Sequence, residues 1–216
     1  MRPPQIALIG TEGSGKTVLT TVLAKTLEKK QGNGAWLNPN AKTGKYIATT
    51  WNTLRSGEWV PSTPAGTLFD LEWVMQVGER KCPMRVIDSA GHDLRRLFSD
   101  DGFNDPNLAD QDRRYIEYIR ESTILLVLIN LGDFLGEADP NKVIENGYTL
   151  KAVLDELLSD KERQIAFVFT AYDLYHATIK EKYGTVNRFM EKEISYLYHA
   201  YIDKKQPVKC FAVSAV

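Results

Sequence analysis

The chain has 216 residues and a formal charge of −1, from 27 basic against 28 acidic side chains, with 43% hydrophobic and 25% charged residues, so it is long enough to bury a core without covalent staples. The even charge balance argues against nucleic acid or an anionic membrane as the main partner, and two cysteines with three histidines exclude a disulfide framework and disfavour a structural zinc site. The longest aliphatic run, Ile124 to Ile129, falls far short of the roughly 18 residues of a membrane helix, and no apolar leader follows Met1, so a single domain over 1–216 in the reducing cytoplasm is expected.

Gln5 to Ile9 is a short apolar run ending at Gly10, the pattern of a buried strand. Gly10-Thr11-Glu12-Gly13-Ser14-Gly15-Lys16-Thr17 then fits the eight-residue Walker A phosphate-loop pattern without a mismatch. The glycines let the backbone curl so that several N–H groups converge on phosphates, and the following helix adds its N-terminal dipole. Lys16 supplies a point charge to the outer phosphates, and the Thr17 hydroxyl is a magnesium ligand. The helix is expected over Lys16 to Lys30, with Val18, Leu19, Val22, Leu23 and Leu27 on one face. A long connection over 32–66 follows, carrying Trp36, Trp51 and Trp59 and one helix around Lys45 to Leu54. A loop of this length in a compact domain is functional or mobile.

Leu68 to Val77 and Cys82 to Asp88 predict two strands joined as a hairpin at Gly78-Glu79. The second ends in Asp88, a carboxylate delivered to the C-terminal edge of the sheet beside the phosphate loop, where it can hold magnesium through water. Gly91, three residues on, allows a backbone N–H to approach a γ-phosphate closely, and His92 follows it. After the polar stretch 89–110 come a helix (Gln111 to Glu121), a buried strand (Thr123 to Ile129), a helix (Lys142 to Leu158), a strand (Gln164 to Thr170), a helix (Val186 to Tyr201) and a closing strand (Val208 to Val213). This alternation predicts an α/β fold of three layers: a P-loop NTPase with a mostly parallel six-stranded sheet and one antiparallel edge strand.

The phosphate loop together with Asp88-Ser89-Ala90-Gly91-His92 resembles the Ras-like small GTPases of the translation-factor-related class. The long tryptophan-containing first segment is similar to that of prokaryotic GTPases thought to work in pairs. The resemblance spans essentially the whole chain. It implies a first switch over 32–66 and a second over 89–110. It places His92 where such proteins orient the attacking water, with Lys16 and Gly91 completing the catalytic set. It makes Thr63 the favoured switch threonine and magnesium ligand beside Thr17 and Asp88, with Thr67 as the rival.

Thr170-Ala171-Tyr172-Asp173 is similar to the family's guanine motif, in which the acid accepts guanine N1–H and the exocyclic amine; adenine would leave that acid unpaired. Ser214-Ala215 resembles its last base motif. Two positions depart from the pattern: Ala171 stands in place of the lysine that covers the base, and Glu12 puts a carboxylate where a small residue is usual. Glu12 is expected to point outward, and the resemblance implies that bulk at this place hinders hydrolysis, so turnover is expected to be slow, about 10⁻⁴ s⁻¹ or below. Arg55, in the first switch, is an expected solvated side chain with an internal arginine finger as the alternative. Arg95 and Arg96 are expected on a solvated face. The family's final helix has no counterpart before Val216, so the chain reads as a core cut at its last element.

The expected function is therefore a Mg²⁺-dependent GTP/GDP switch, with the guanine nucleotide as ligand and a protein effector or second GTPase as partner. Two alternatives stay open. One is a P-loop ATPase or kinase acting on a small molecule, and the other is a nucleotide-binding interaction module with little hydrolysis.

Overall fold

A computed structural model of the chain describes residues 5–28, 35–98, 105, 107–135, 139–158, 163–202 and 208–214. The strands are β1 (Gln5–Ile9), β2 (Ala35–Pro39), β3 (Leu68–Val77), β4 (Arg80–Ser89), β5 (Ile124–Asn130), β6 (Gln164–Thr170) and β7 (Val208–Ala212). The main helices are α1 (Lys16–Leu27), α2 (Ala41–Arg55), α3 (Gly91–Phe98), α4 (Asp110–Glu121), α5 (Pro140–Leu158), α6 (Tyr172–Lys182) and α7 (Val186–Glu193).

The strands form one sheet in the order β2-β3-β4-β1-β5-β6-β7. Among the described residues it has seven strands, which corrects the expected six. The additional one, β2, is five residues long and ends at a proline, so its own sequence carries little strand signal. Pairing with β3, from Ala35 opposite Val77 to Pro39 opposite Trp73, makes it a strand, and a proline is tolerated there because the strand lies at the edge. The antiparallel strand β3 consequently sits one place inside the sheet, against both β2 and β4, and does not form its edge. All other pairings are parallel.

Apolar strands with period-two alternation bury both faces. Ala7 and Ile9 of β1 join a large cluster with Phe167 and Phe169 of β6 and side chains of α3 to α7. Leu8 and Val168, pointing the other way, join a smaller cluster with Ala24 of α1 and Ile47 of α2. Helices thus cover both faces. Within the larger cluster the Phe169 and Phe189 rings meet edge to face, 5.8 Å apart.

Much of the expected 32–66 loop is regular structure. Asn40 caps α2 by accepting the Thr43 N–H at 2.8 Å, and Thr43 Oγ1 in turn accepts the Glu72 N–H of β3 at 2.9 Å. Two further helices, α3 and α6, form within polar stretches. For α3 the buried side chains among the described residues are Leu94 and Leu97, three residues apart among charges. The expected helix over Val186 to Tyr201 breaks at Ile194 (φ −127°, ψ 42°). A short helical turn at Ser195–Leu197 and a wider one at Tyr198–Ile202 follow.

The chain leaves β1 for the β2–β4 side of the sheet and then crosses from β4 to β5 on the other side of β1. In an open α/β sheet that reversal opens a crevice at the C-terminal ends of the strands. The Gly10–Thr17 loop emerges there.

Candidate functional site

The loop is built by its glycines and then clamped. A Cβ on Gly10 would lie 2.4 Å from Ser14 Oγ and 3.1 Å from the Leu128 carbonyl, so no side chain fits at the turn out of β1. Gly15, at φ 84°, precedes α1 without a side-chain cap, so no capping side chain stands between the start of α1 and the crevice, and a helix N-terminus favours anions. Lys16 is only 7% exposed. Its ammonium donates to the carbonyls of Gly10 at 2.7 Å and Thr11 at 3.1 Å, so the charge is held inside the loop.

Two neighbouring strand ends hold the loop from outside. Asn130 Nδ2 donates to the Gly13 carbonyl at 3.0 Å, and Thr170 Oγ1 donates to the Ser14 carbonyl at 3.0 Å. Asn130 was not among the expected site residues. Its signal was a lone polar side chain closing the apolar run 124–129.

Asp88 is fully buried, at 0% exposure. Its Oδ2 accepts the Thr17 hydroxyl at 2.8 Å and the Tyr46 hydroxyl at 2.8 Å. Its Oδ1 has no hydrogen-bond partner among the described residues. Burial pushes the Asp88 carboxyl above the usual range, opposed by the Tyr46 and Thr17 hydrogen bonds and by the charge of Lys16. The Thr63 hydroxyl lies 3.4 Å from that of Thr17. Because the one Thr17 proton is committed to Asp88, Thr63 is the donor in that contact. Thr67 turns elsewhere, its N–H bonded to the Pro64 carbonyl at 3.0 Å.

These donors fit a small hard cation. Mg²⁺ takes oxygen ligands and uses one or two carboxylates together with waters and phosphates. Thr17, Thr63 and an Asp88 oxygen left without a donor supply that set.

A cleft of about 460 Å³ opens over the loop, walled by Trp59–Ala65 and by Ser89 and Ala90. A second, of about 290 Å³, continues from it past Asn130 and Thr170 to Asp173 and Val213. Gly13, Gly15, Val18 and Trp59 border both. Trp59 is 82% exposed at their junction.

Asp173 stands in the first turn of α6, exposed to solvent. The helix starts at Ala171, whose φ of 57° is the one positive value at a non-glycine among the described residues. The Tyr172 N–H donates to the Val213 carbonyl at 3.2 Å, joining the two expected base segments. Ser214 is exposed just beyond, and Ala215 lies outside the described residues.

Glu12 is exposed on the rim of the first cleft. Gly91 opens α3 with His92 next to it; the side chains of His92 and Arg95 lie outside the described residues, as do parts of 89–110. Arg55 ends α2, exposed and lining neither cleft. Arg96 pairs with Asp112 at 2.6 Å.

No protein-family model matches the sequence, and no curated protein matches it at a significant level. No helix among the described residues is long and apolar enough to cross a membrane.

Proposed function

We propose that the chain binds a guanine nucleotide with Mg²⁺ and hydrolyses GTP slowly, acting as a molecular switch. One observation carries this: the Thr17 and Thr63 hydroxyls and the buried Asp88 carboxylate are linked by contacts of 2.8 and 3.4 Å at the mouth of a glycine loop that holds a buried lysine. A metal–phosphate site needs such an arrangement, with the first hydroxyl of the loop's helix beside a carboxylate on one side and beside a threonine from a distant segment on the other.

The N–H groups at the start of α1 bind the phosphates. Lys16 exchanges the Gly10 and Thr11 carbonyls for phosphate oxygens. Thr17, Thr63 and Asp88 would hold Mg²⁺, which when bound neutralises charge on the outer phosphates. By resemblance, His92 orients a water toward the γ-phosphorus. A bond forms from that water, the bond to the β–γ bridging oxygen breaks, and GDP and phosphate result. Thr63 then loses its γ-phosphate contact, and the 59–66 wall is released for an effector or a second GTPase to read.

The second cleft is the proposed base site, with Asp173 accepting the N1–H and amine of guanine. A small-molecule kinase is the less favoured reading, because the wall over the loop, Trp59 to Ala65, contains no arginine to hold an acceptor phosphate. Titration of the protein with a fluorescent GDP analogue in Mg²⁺ tests the proposal. Saturable binding that Lys16→Ala weakens by on the order of tenfold or more, the worth of a lost charge-assisted hydrogen bond, supports it. Absence of binding overturns it.

A further inference from the structure

Tyr46 belongs to no recognised motif. It stands on α2, half-buried, and donates its hydroxyl to Asp88 Oδ2 at 2.8 Å. Its ring packs 4.6 Å from Phe69, the β3 residue directly opposite Asp88. Its helix is tied to the sheet independently, through the Asn40 cap and the Thr43 bond to Glu72. The fold therefore fixes this hydroxyl, with no ligand needed to do so. A phenol carries its proton at neutral pH, so the hydroxyl can donate to Oδ2.

The effect on Asp88 is asymmetric. Oδ2 takes two hydroxyl donors, one from α1 and one from α2, while Oδ1 takes none among the described residues. A carboxylate gripped at one oxygen keeps one orientation and offers the other oxygen to a cation or its bound water. Partners that orient a metal-ligating carboxylate in this way carry a large share of metal affinity.

We propose that Tyr46 is the positioning residue of the Mg²⁺ site: by holding Asp88 Oδ2 it keeps Oδ1 available to the metal, and it ties α2 to the state of that site. This rests on the function proposed above. Tyr46→Phe retains the ring against Phe69 and removes only the donor.

The test is Mn²⁺ binding to the full chain saturated with GDP, followed by electron paramagnetic resonance for wild type and Tyr46→Phe, with GDP affinity measured separately in EDTA. The expected result is a 10- to 100-fold weaker Mn²⁺ affinity in Tyr46→Phe, with GDP affinity in EDTA unchanged. A merely structural role would lower both. Equal Mn²⁺ affinities, or a parallel loss of metal-free GDP binding, overturn the role of Tyr46 and leave the nucleotide site standing. A wild-type protein that binds no GDP overturns the site and the inference together.

Discussion

The Thr63 hydroxyl lies 3.4 Å from that of Thr17, across 46 residues of sequence. Thr17 donates its own hydroxyl to Asp88, so the three side chains form a hydrogen-bonded chain from the 59–66 wall to the sheet. Thr67, four residues further on, is held in a turn by Pro64 and takes no part in it.

That difference separates the two threonines experimentally. Thr63→Ala should abolish most of the preference for a non-hydrolysable GTP analogue over GDP in Mg²⁺, a loss of about 1 to 3 kcal/mol, and Thr67→Ala should leave it intact. Competition binding against a fluorescent nucleotide reads both. The reverse pattern would make Thr67 the switch residue.

Trp59 is the exposed aromatic between the two clefts, and Ala171 is too short to cover a base. Stacking of a base on an aromatic ring is worth about 1 to 3 kcal/mol. Trp59→Ala should therefore weaken GDP binding by roughly tenfold and remove most of the tryptophan fluorescence change on nucleotide addition. The fold should be unaffected, because this side chain lies outside the core. An undiminished signal from Trp36, Trp51 and Trp73 alone would rule Trp59 out as the base cover.

Asp88 gives a pH signature in the metal-free protein. Its folded pKa is raised, first by burial, above the 3.8 of an ordinary aspartate. The folded state therefore binds a proton before the unfolded state does. Stability relative to Asp88→Asn should rise as pH falls through the raised pKa and level off below about 3.8. Urea unfolding in EDTA over that pH range measures it. A difference that falls with acidification would mean that the Tyr46 and Thr17 hydrogen bonds outweigh the cost of burial.

Residues that act through local pattern were legible in the sequence. The runs before Gly10, Asp88 and Thr170 are apolar and short, and each became a strand delivering its end to one crevice. The glycine loop could be read because its spacing serves the backbone directly. What could not be read depends on partners distant in the chain. β2 is a strand only because β3 lies beside it. Among the described residues the buried stripe of α3 is two leucines deep. The 32–66 segment reads as a loop because its apolar residues are spread thinly between β2 and α2. Asn130 and Tyr46 entered the site through tertiary contacts of 117 and 42 residues in sequence separation, which no local pattern encodes.

The central claim is guanine recognition at Asp173, and one titration tests it most directly. Fluorescent GTP and ATP analogues are titrated in Mg²⁺ against the wild-type protein and Asp173→Asn. A preference for GTP on the order of 100-fold or more in the wild type, collapsing toward parity in Asp173→Asn, is the predicted result, because a site built to accept two hydrogen bonds rejects a ligand that leaves it unpaired. Equal affinity of the wild-type protein for ATP and GTP would contradict it.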